Sequence, residues 1–310
     1  MISPGQNGLL LLNKRSGVTS FDSLGKIKKT FATGKVGHTG TLDKFASGLL
    51  LVLVGRGVKL APLFENCTKE YTGTIFFGAE TDTLDPEGKV IARGETPSRE
   101  EVESALESFR GDILQSPPAY SAIHINGRRA HELSREGKEP EMKKRPCRII
   151  ELEILSWAPP EAVIRTRVSS GTYIRSLVRD IALAAGSRAH LTALNRTRVG
   201  AFSLEDAVEE DSRNFGETLL PLDRDLFNAL SLPVFLIDEK TAKGFLNGKP
   251  LEGLWSNGEL CLPPEGNPVF AGVFRQACPQ TIPGNPSEEL LGVLQRRNGK
   301  WNYGHVFRDN

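Results

Sequence analysis

The sequence predicts an α+β protein, in which a mixed β-sheet with flanking helices is followed by a small, mainly β domain. Strand-like and helix-like segments are interspersed up to about residue 230. The composition changes near Asn228–Pro233, and residues 258–286 are rich in proline and glycine. With 310 residues, 39% of them hydrophobic and 25% charged, the chain can bury a large core. We therefore expect one domain at residues 1–230 and a second at residues 233–310.

The first sixty residues contain two apolar runs, with a helix-like and a glycine-rich segment between them. Residues 8–12 (GLLLL) predict a buried strand. Apolar side chains at helical spacing then predict a helix that Thr19 or Ser20 can cap: Phe21, Leu24, Ile27 and Phe31. Residues 33–40 (TGKVGHTG) hold three glycines and predict a loop. Residues 49–54 predict a buried strand or the end of a helix.

The rest of the chain carries more regular signals. Residues 71–77 (YTGTIFF) are rich in β-forming side chains and predict a strand, and residues 85–88 (DPEG) predict a turn. Ser98 and Glu101 form a capping box ahead of a helix. The remaining predicted elements are strands at 149–157 and 163–168, a helix at 172–185 that Gly186 can end, and a strand at 290–294.

The net charge of +1 hides a pattern along the chain. Residues 1–60 carry a net charge of +7, residues 61–120 of −7, residues 121–200 of +7 and residues 201–310 of −6. If the two basic blocks fold side by side, they form a face suited to a polyanion. If each basic block lies beside an acidic one, the charges cancel. Charge alone leaves both arrangements open.

Several classes of chemistry lack their motifs in this sequence. The four cysteines form no C-x-x-C pair and have no histidine at zinc spacing, so we expect them to be reduced. The glycine-rich segment matches neither phosphate-binding pattern, which disfavours an ATPase or a dinucleotide enzyme. The longest apolar run, Leu49–Val54, is far shorter than the ~20 residues of a membrane helix, and there is no signal-peptide pattern. We expect a cytoplasmic protein whose chemistry uses few side chains and no cofactor or metal.

Two charged residues are candidates for chemistry. Asp43 is one of two acidic residues in the first sixty and closely follows the glycine-rich segment. An aspartate there either caps a following helix or is a reactive carboxylate. Arg175 lies near the start of a predicted helix, four residues before Arg179 on the same face. Either both arginines face solvent, or Arg175 pairs with a buried carboxylate and keeps it ionised.

Six ordered motifs resemble those of one enzyme family. They are LLLNKRSGVTS at Leu10–Ser20, GHTGTLDKFASGLL at Gly37–Leu50, TDTLDPEG at Thr81–Gly88, PPAYSAIHING at Pro117–Gly127, GTYIRSLVRDI at Gly171–Ile181 and RAHLTALNRTRVGAF at Arg188–Phe202. Together they resemble the tRNA pseudouridine synthases of the bacterial TruB type. Residues 233–252 resemble the start of the PUA-like RNA-binding domain of that family, so the resemblance covers nearly the whole chain.

The resemblance implies an activity and a partner. Enzymes of this family isomerise uridine 55 in the T-loop of tRNA to pseudouridine, which breaks the N1–C1′ bond and forms a C5–C1′ bond. Nothing is oxidised or hydrolysed, so no cofactor is expected, and the uridine must first flip out of the stack. The implied partner is tRNA, gripped at its T-arm and elbow by a monomer that needs no membrane and no obligatory protein partner. A guide-RNA-dependent relative and a non-catalytic tRNA-binding chaperone remain as alternatives.

The resemblance also assigns roles to individual residues. Asp43 matches the catalytic aspartate, Tyr71 the tyrosine that stacks on the uracil, and Arg175 the arginine that pairs with the aspartate. Substrate-binding positions are implied for His38, which would fill the space of the flipped base, for Tyr173 and Leu194, and for Lys14, whose role is less defined.

A basic segment at about 123–147 occupies the place of the loop with which the family grips RNA. It ends in Lys143, Lys144 and Arg145. The chain departs from the family next to the aspartate, where Lys44 replaces a common proline. We expect Lys44 to add positive charge near Asp43 or to contact an RNA phosphate.

Overall fold

The structure is a computed structural model of the 310-residue chain. It describes residues 6–121, 142–251, 269–276 and 288–308, and the backbone of short strands at 124–125, 128–129 and 259–261. Most of the predicted RNA-gripping loop therefore lies outside the described residues. Across the described ranges, no helix combines the length and the apolar character that a membrane span requires.

Five α-helices and two short 3-10 helices lie in the described parts of the chain. The α-helices are α1 (Leu24–Thr30), α2 (Arg99–Glu107), α3 (Ile174–Ala184), α4 (Arg224–Ala229) and α5 (Glu239–Leu246), and the 3-10 helices span Gly55–Phe64 and Leu204–Asp206. The strands are β1 (Gly8–Lys14), β2 (Val36–Thr39), β3 (Ser47–Val54), β4 (Lys69–Phe77), β5 (Ala79–Thr81), β6 (Val90–Arg93), β7 (Gly111–Gln115), β8 (His124–Ile125), β9 (Arg128–Arg129), β10 (Arg145–Ala158), β11 (Glu161–Val168), β12 (Ala189–Val199), β13 (Phe202–Ser203), β14 (Val208–Glu209), β15 (Val234–Ile237), β16 (Glu259–Cys261), β17 (Phe270–Gln276), β18 (Glu288–Arg297) and β19 (Lys300–Val306).

A mixed sheet of ten strands dominates the described residues. Its order is β14-β1-β3-β12-β4-β11-β10-β7, with β2 paired to β3 and β13 paired to β12. The β3–β12 pair is parallel and joins Ser47 and Gly48 to Asn195 and Arg196. A Cβ atom at Gly48 would lie only 2.2 Å from Asn195 Oδ1, so this close approach requires glycine. The pairing matters for the site because β3 directly follows the loop that carries Asp43.

Helices α1, α2 and α3 pack apolar side chains against one face of this sheet. The capping box predicted at the start of α2 is present, because Ser98 Oγ accepts from the Glu101 N–H and the Glu101 carboxylate accepts from the Ser98 N–H. The apolar side of α3 is fully buried against the sheet through Leu177, Val178 and Ile181. Gly186 follows α3 with a φ of +69°, the left-handed conformation in which glycine ends a helix.

A second sheet of five strands, β16-β15-β17-β18-β19, forms the described C-terminal part of the chain. It packs against the first sheet through one shared apolar cluster. Leu9 and Leu51 of the first sheet belong to the same cluster as Phe227 of α4 and Phe274 and Val293 of the second sheet. The two sheets therefore exclude water from a common interface.

The predicted α+β fold class is confirmed. The strands predicted at 71–77, 149–157, 163–168 and 290–294 lie within β4, β10, β11 and β18, and the helix predicted at 172–185 is α3. Two predictions are wrong. The glycine-rich segment contains β2, because Val36–Thr39 pair with β3 and the pairing outweighs the low strand propensity of glycine. The first helix begins at Leu24, because Thr19 Oγ1 accepts from the Asp22 N–H and closes a turn there instead.

Candidate active site

Asp43 lies in the loop between β2 and β3, which we call the Asp43 loop (residues 40–46). The residues after it run directly into β3, so Asp43 does not cap a helix. The segment before α1 holds this loop from one side. Ser20 Oγ donates to the Leu42 carbonyl at 3.0 Å and accepts from the Leu42 N–H at 2.9 Å, and the Gly17 N–H donates to the Lys44 carbonyl at 2.8 Å.

Arg196 of β12 holds the Asp43 loop from the other side. Its side chain is 1% exposed, its Nη2 donates to the Gly40 carbonyl at 2.9 Å and its Nε donates to the Leu49 carbonyl at 2.7 Å. These two carbonyls flank Asp43 in the sequence. One buried guanidinium therefore fixes both ends of the segment that presents the carboxylate.

Arg175, at the start of α3, contacts the Asp43 side chain directly. Its Nε lies 2.9 Å from Asp43 Oδ2 and its Nη2 donates to Asp43 Oδ1 at 3.0 Å. The other side of the guanidinium meets a second carboxylate, with Arg175 Nη1 3.3 Å from Asp85 Oδ2. Arg175 also donates to the carbonyls of Thr83 and Tyr120 at 2.8 and 3.1 Å. This arginine links Asp43 to the turn at 83–88 and does not face solvent.

The two carboxylates of Arg175 differ in their access to water. The Asp85 side chain is 8% exposed, whereas that of Asp43 is 40% exposed. Burial raises the pKa of Asp85, although the Thr83 hydroxyl, the Arg175 guanidinium and the Glu87 N–H oppose the rise. Asp43 is thus the carboxylate that a substrate can reach, and Asp85 is the buried anchor on the far side of the guanidinium.

Tyr173 precedes α3 and lies close to this pair. Gln115 of β7 fixes its backbone, accepting from the Tyr173 N–H at 2.8 Å and donating to the Tyr173 carbonyl at 3.1 Å. Burial raises the pKa of the Tyr173 hydroxyl, while the charges of Arg145 and Arg175 lower it. The structure therefore brings Tyr173, Arg175 and Arg145, three residues predicted from the sequence, into one neighbourhood.

Tyr71 and Leu194 lie on the neighbouring strands β4 and β12. Tyr71 is half-buried against the apolar core and pairs across the strands with Arg196. Leu194 pairs with Gly73, where a Cβ atom would stand 3.5 Å from a Leu194 methyl group. The tyrosine and the leucine thus share this pair of strands with the arginine that holds the Asp43 loop.

Lys14 is buried and His38 is half-buried, so neither side chain is fully exposed on the surface. Lys14 is fully buried, and its ammonium donates to the carbonyls of Arg15 and Val18 at 2.9 and 2.8 Å. Burial lowers the pKa of Lys14, and Asp43 is among the charges that oppose this effect. Burial and the charge of Arg196 lower the pKa of His38 on β2.

The predicted phosphate-binding cations are exposed. Lys143 and Lys144 precede β10 and Arg145 begins it, and no described contact joins the two lysines to the Asp43–Arg175 pair. Lys44 is half-exposed, with its Nζ 3.5 Å from Glu87 Oε1. Lys44 therefore meets a carboxylate of the turn that also carries Asp85.

Asp85, Arg196 and Gln115 were not identified as site residues from the sequence. Asp85 and Arg196 both lie within motifs that matched the family, but Asp85 was interpreted only as part of a turn. Nothing in the pattern of Gln115 singles it out. In the described parts of the chain, no three His, Cys, Asp or Glu side chains are grouped as metal ligands.

The sequence is similar to proteins of one known family. The family model for the TruB family pseudouridylate synthase N-terminal domain matches residues 28–174. A protein of Borreliella afzelii named tRNA pseudouridine synthase B is 46% identical over 206 residues, which cover 66% of this chain and 73% of that protein. A protein of the same name from Corynebacterium efficiens is 41% identical over 260 residues, which cover 81% and 87%.

The fold has a solved counterpart. A chain in the crystal structure of a Cbf5-Nop10-Gar1 complex superimposes with a TM-score of 0.69, covering 97% of this chain and 84% of that chain. Its sequence is 21% identical, so the likeness concerns the fold alone.

Asp43 lies within the range that the family model matches, and Arg175 follows the last matched residue directly. The Corynebacterium relative extends the match over four fifths of the chain at an identity well above chance. On these grounds the chain belongs to the TruB family of pseudouridine synthases.

Proposed function

We propose that this protein isomerises uridine 55 in the T-loop of tRNA to pseudouridine, without a cofactor. The observation that carries the proposal is the Asp43 carboxylate, which reaches solvent on one side and is held on the other by the buried Arg175. The relatives named tRNA pseudouridine synthase B support the substrate class.

The proposed reaction requires one correctly oriented carboxylate and no cofactor. The N1–C1′ bond breaks, the uracil turns, C5 bonds to C1′, C5 gives up its proton and N1 gains one. Asp43 assists the bond breaking at the sugar or the base. The two contacts from Arg175 fix the direction of its carboxylate before substrate arrives, and this preorganisation is what accelerates a reaction.

The uridine has to leave the tRNA stack to reach Asp43. Tyr71 and Leu194 offer a ring and an apolar side chain on adjacent strands for the flipped uracil, and the Tyr71 hydroxyl is the proposed carrier of the C5 proton. Tyr173 and Lys14 border the same site, and His38 fills the space that the base leaves. Asp85 and Arg196 act as positioning residues, the first through Arg175 and the second through the Asp43 loop.

The exposed Lys143, Lys144 and Arg145 bind phosphates of the T-arm and elbow in this proposal. The catalytic domain comprises residues 1–230, with the gripping loop at about 123–147, and a PUA-like domain comprises residues 233–310. A monomer carries out the reaction in the cytoplasm, where tRNA is found, and needs no obligatory protein partner.

Tritium release tests the proposal. Purified protein is incubated with a tRNA transcript labelled at uridine C5, in EDTA and without added nucleotide or partner. Because C5 bonds to the sugar, each turnover must release one label to water. We expect release from the transcript and none from a transcript in which uridine 55 is cytidine.

Other outcomes would contradict the proposal. Equal release from both transcripts would show a different target uridine. Release that requires a guide RNA would favour a partner-dependent synthase. Tight tRNA binding without any release would favour a chaperone.

A further inference from the structure

Helix α3 begins at a residue that does not cap it with its own side chain. Tyr173 is the N-cap residue, with a φ of −99° and a ψ of 111°, and its side chain makes no capping hydrogen bond. Serine, threonine, aspartate and asparagine are preferred at this position because their short side chains accept from the free N–H groups of the first turn. The start of the helix therefore depends on groups from elsewhere in the chain, and Arg175 is its second residue.

Gln115, at the end of strand β7, contacts the N-cap residue from 58 positions away in the sequence. Gln115 is 2% exposed, its Oε1 accepts from the Tyr173 N–H at 2.8 Å and its Nε2 donates to the Tyr173 carbonyl at 3.1 Å. The same carbonyl accepts from the Leu177 N–H at 3.0 Å, in the helical i→i−4 pattern. One buried side chain thus holds both backbone polar groups of the N-cap residue.

These hydrogen bonds constrain what the apolar contacts of α3 leave free. Burial of one face of α3 holds the helix against the sheet, but the hydrophobic effect has no preferred direction, whereas a hydrogen bond does. The Tyr173 carbonyl belongs to a planar peptide group that includes the nitrogen of Ile174. Fixing this group sets the direction of the backbone one residue before Arg175, whose guanidinium contacts Asp43 at 2.9 and 3.0 Å.

The segment after Gln115 follows the same helix. The Ser116 carbonyl accepts from Arg179 at 3.1 Å, and the Tyr120 carbonyl accepts from Arg175 at 3.1 Å. Both acceptors are backbone groups, which a change of side chain at 116 or 120 would leave in place. The contact of Gln115 is made by its side chain, so it requires a group that both accepts and donates.

We propose that Gln115 is a positioning residue for the isomerisation, which acts through the first turn of α3 on Arg175 and thereby on the Asp43 carboxylate. The inference rests on the proposed function for the reaction itself. The amide of Gln115 has two separate roles, because its oxygen holds the Tyr173 N–H and its NH2 group orients the Tyr173 carbonyl. The direction of the Arg175 side chain depends on the second role.

Two substitutions separate the roles of the amide. Gln115→Glu keeps the shape and the acceptor, lacks the donor when it is ionised and regains one donor when it is protonated. Gln115→Met removes both the acceptor and the donor. Leu114→Glu is the control, because Leu114 is 66% exposed and neighbouring side chains of a strand point to opposite faces. Thermal unfolding checks that the three variants fold.

Two measurements follow these variants: single-turnover tritium release from C5-labelled tRNA between about pH 6 and 9, and hydrogen exchange of the Tyr173 amide. We expect Gln115→Met to react about tenfold more slowly than wild type at every pH, with faster exchange of the Tyr173 N–H. Affinity for tRNA should stay within about threefold of wild type, because the substitution misaligns the site without removing a substrate contact.

Gln115→Glu should behave differently from Gln115→Met. Its carboxylate still accepts from the Tyr173 N–H, so exchange of this amide should stay slow. The charges of Arg145 and Arg175 act on the neighbouring Tyr173 and favour the ionised form of the new carboxyl group. The rate of the variant relative to wild type should therefore rise as the pH falls, because protonation restores the donor to the Tyr173 carbonyl.

Three outcomes would overturn the proposal. They are wild-type turnover in Gln115→Met, a ratio of Gln115→Glu to wild-type rates that does not change with pH, and a loss of turnover in Leu114→Glu equal to that in Gln115→Met. Tritium release by wild type, measured on the same preparation, shows that such a result counts against Gln115 and not against the proposed function.

Discussion

Arg175 donates to two carboxylates and two backbone carbonyls from a position that is nearly closed to solvent. The planar guanidinium satisfies all of these acceptors at once because its donors point in fixed directions. A lysine at this position has one compact ammonium, which cannot reach both sides of the site. The Asp43 carboxylate therefore depends on the shape of the arginine as well as on its charge.

Arg175→Lys should lower kcat by about 10² to 10³, because a carboxylate that is free to rotate is less often aligned with its substrate. It should also lower the free energy of unfolding by about 3 kcal/mol, because Asp85 loses its buried partner. Single-turnover tritium release and chemical denaturation measure the two effects.

Arg179→Lys is the matched control, one helical turn along α3. Arg179 contacts Asp180 and the Ser116 carbonyl and is more exposed than Arg175. We expect its turnover to remain near wild type. Equal losses in the two variants would mean that any change on this face of α3 impairs the enzyme, and the argument from the guanidinium would fail.

His38 should make the stability of the protein depend on pH. Because the pKa of His38 is lowered from 6.5 in the folded protein, its imidazole gains a proton more readily when the chain unfolds. Stability should therefore fall as the pH drops below about 6.5. His38→Gln should make the melting temperature less sensitive to pH between about 7.5 and 5.5 than in wild type. An unchanged pH dependence would show that His38 is accessible to protons in the folded protein.

At the scale of the secondary-structure elements, the Asp43 loop is held at both of its ends by β12. Arg196 reaches the carbonyls of Gly40 and Leu49, and the parallel pairing of β3 with β12 brings the strand itself into contact. The loop has the sequence GTLDKFA and contains no proline, so its own backbone is little restricted. External hydrogen bonds supply the rigidity that the local sequence lacks.

Arg196→Gln should shorten the reach of the side chain and release at least one of the two carbonyls. We expect kcat to fall by about tenfold or more, with little change in tRNA affinity, because the loop would sample positions that misalign Asp43. Hydrogen exchange at residues 40–46 should become faster in the variant. Arg198→Gln, two residues along β12 and exposed, is the control and should leave both measurements unchanged. Slower turnover without faster exchange would contradict a positioning role.

Sequence patterns identified several residues of this site, but they did not predict the long-range contacts of Asp85 and Arg196. Asp43 and Arg175 could be named because each lies in a recognisable motif. Asp85 and Arg196 lie in motifs too, but their roles depend on partners 90 and 147 to 156 residues away, which no local pattern encodes. Strand β2 was missed for the same reason, since pairing with β3 overrides the propensity of its glycine.

At the scale of the whole molecule, the basic blocks of the sequence lie beside each other and also beside an acidic block. The two basic blocks meet, because β3 pairs with β12 and Arg196 contacts the Asp43 loop. The first acidic block also reaches the site, through Asp85 on Arg175 and Glu87 on Lys44. A near-neutral protein can thus place cations around the Asp43 carboxylate and still balance them locally.

The shared apolar cluster should make the two sheets unfold together. Phe227 is fully buried in this cluster, with its ring 5.3 Å from that of Phe274 in an edge-on contact. Phe227→Ala should lower the free energy of unfolding by about 3 to 5 kcal/mol and keep one cooperative transition. Phe21→Ala, at a side chain that is 68% exposed, is the control and should be nearly neutral. Two separate transitions in wild type would show that the sheets are independent.

The most direct test of the account replaces the Asp43 carboxylate alone. Asp43→Asn keeps the size of the side chain and removes its charge, and Asp22→Asn makes the same change at the other acidic residue of the first sixty, which is exposed. Tritium release from C5-labelled tRNA and filter binding are measured for both. We expect Asp43→Asn to lose at least about 10³ in turnover while its tRNA affinity stays within a few-fold of wild type, and Asp22→Asn to behave as wild type. Turnover by Asp43→Asn at the wild-type rate would remove Asp43 from the mechanism and contradict the account.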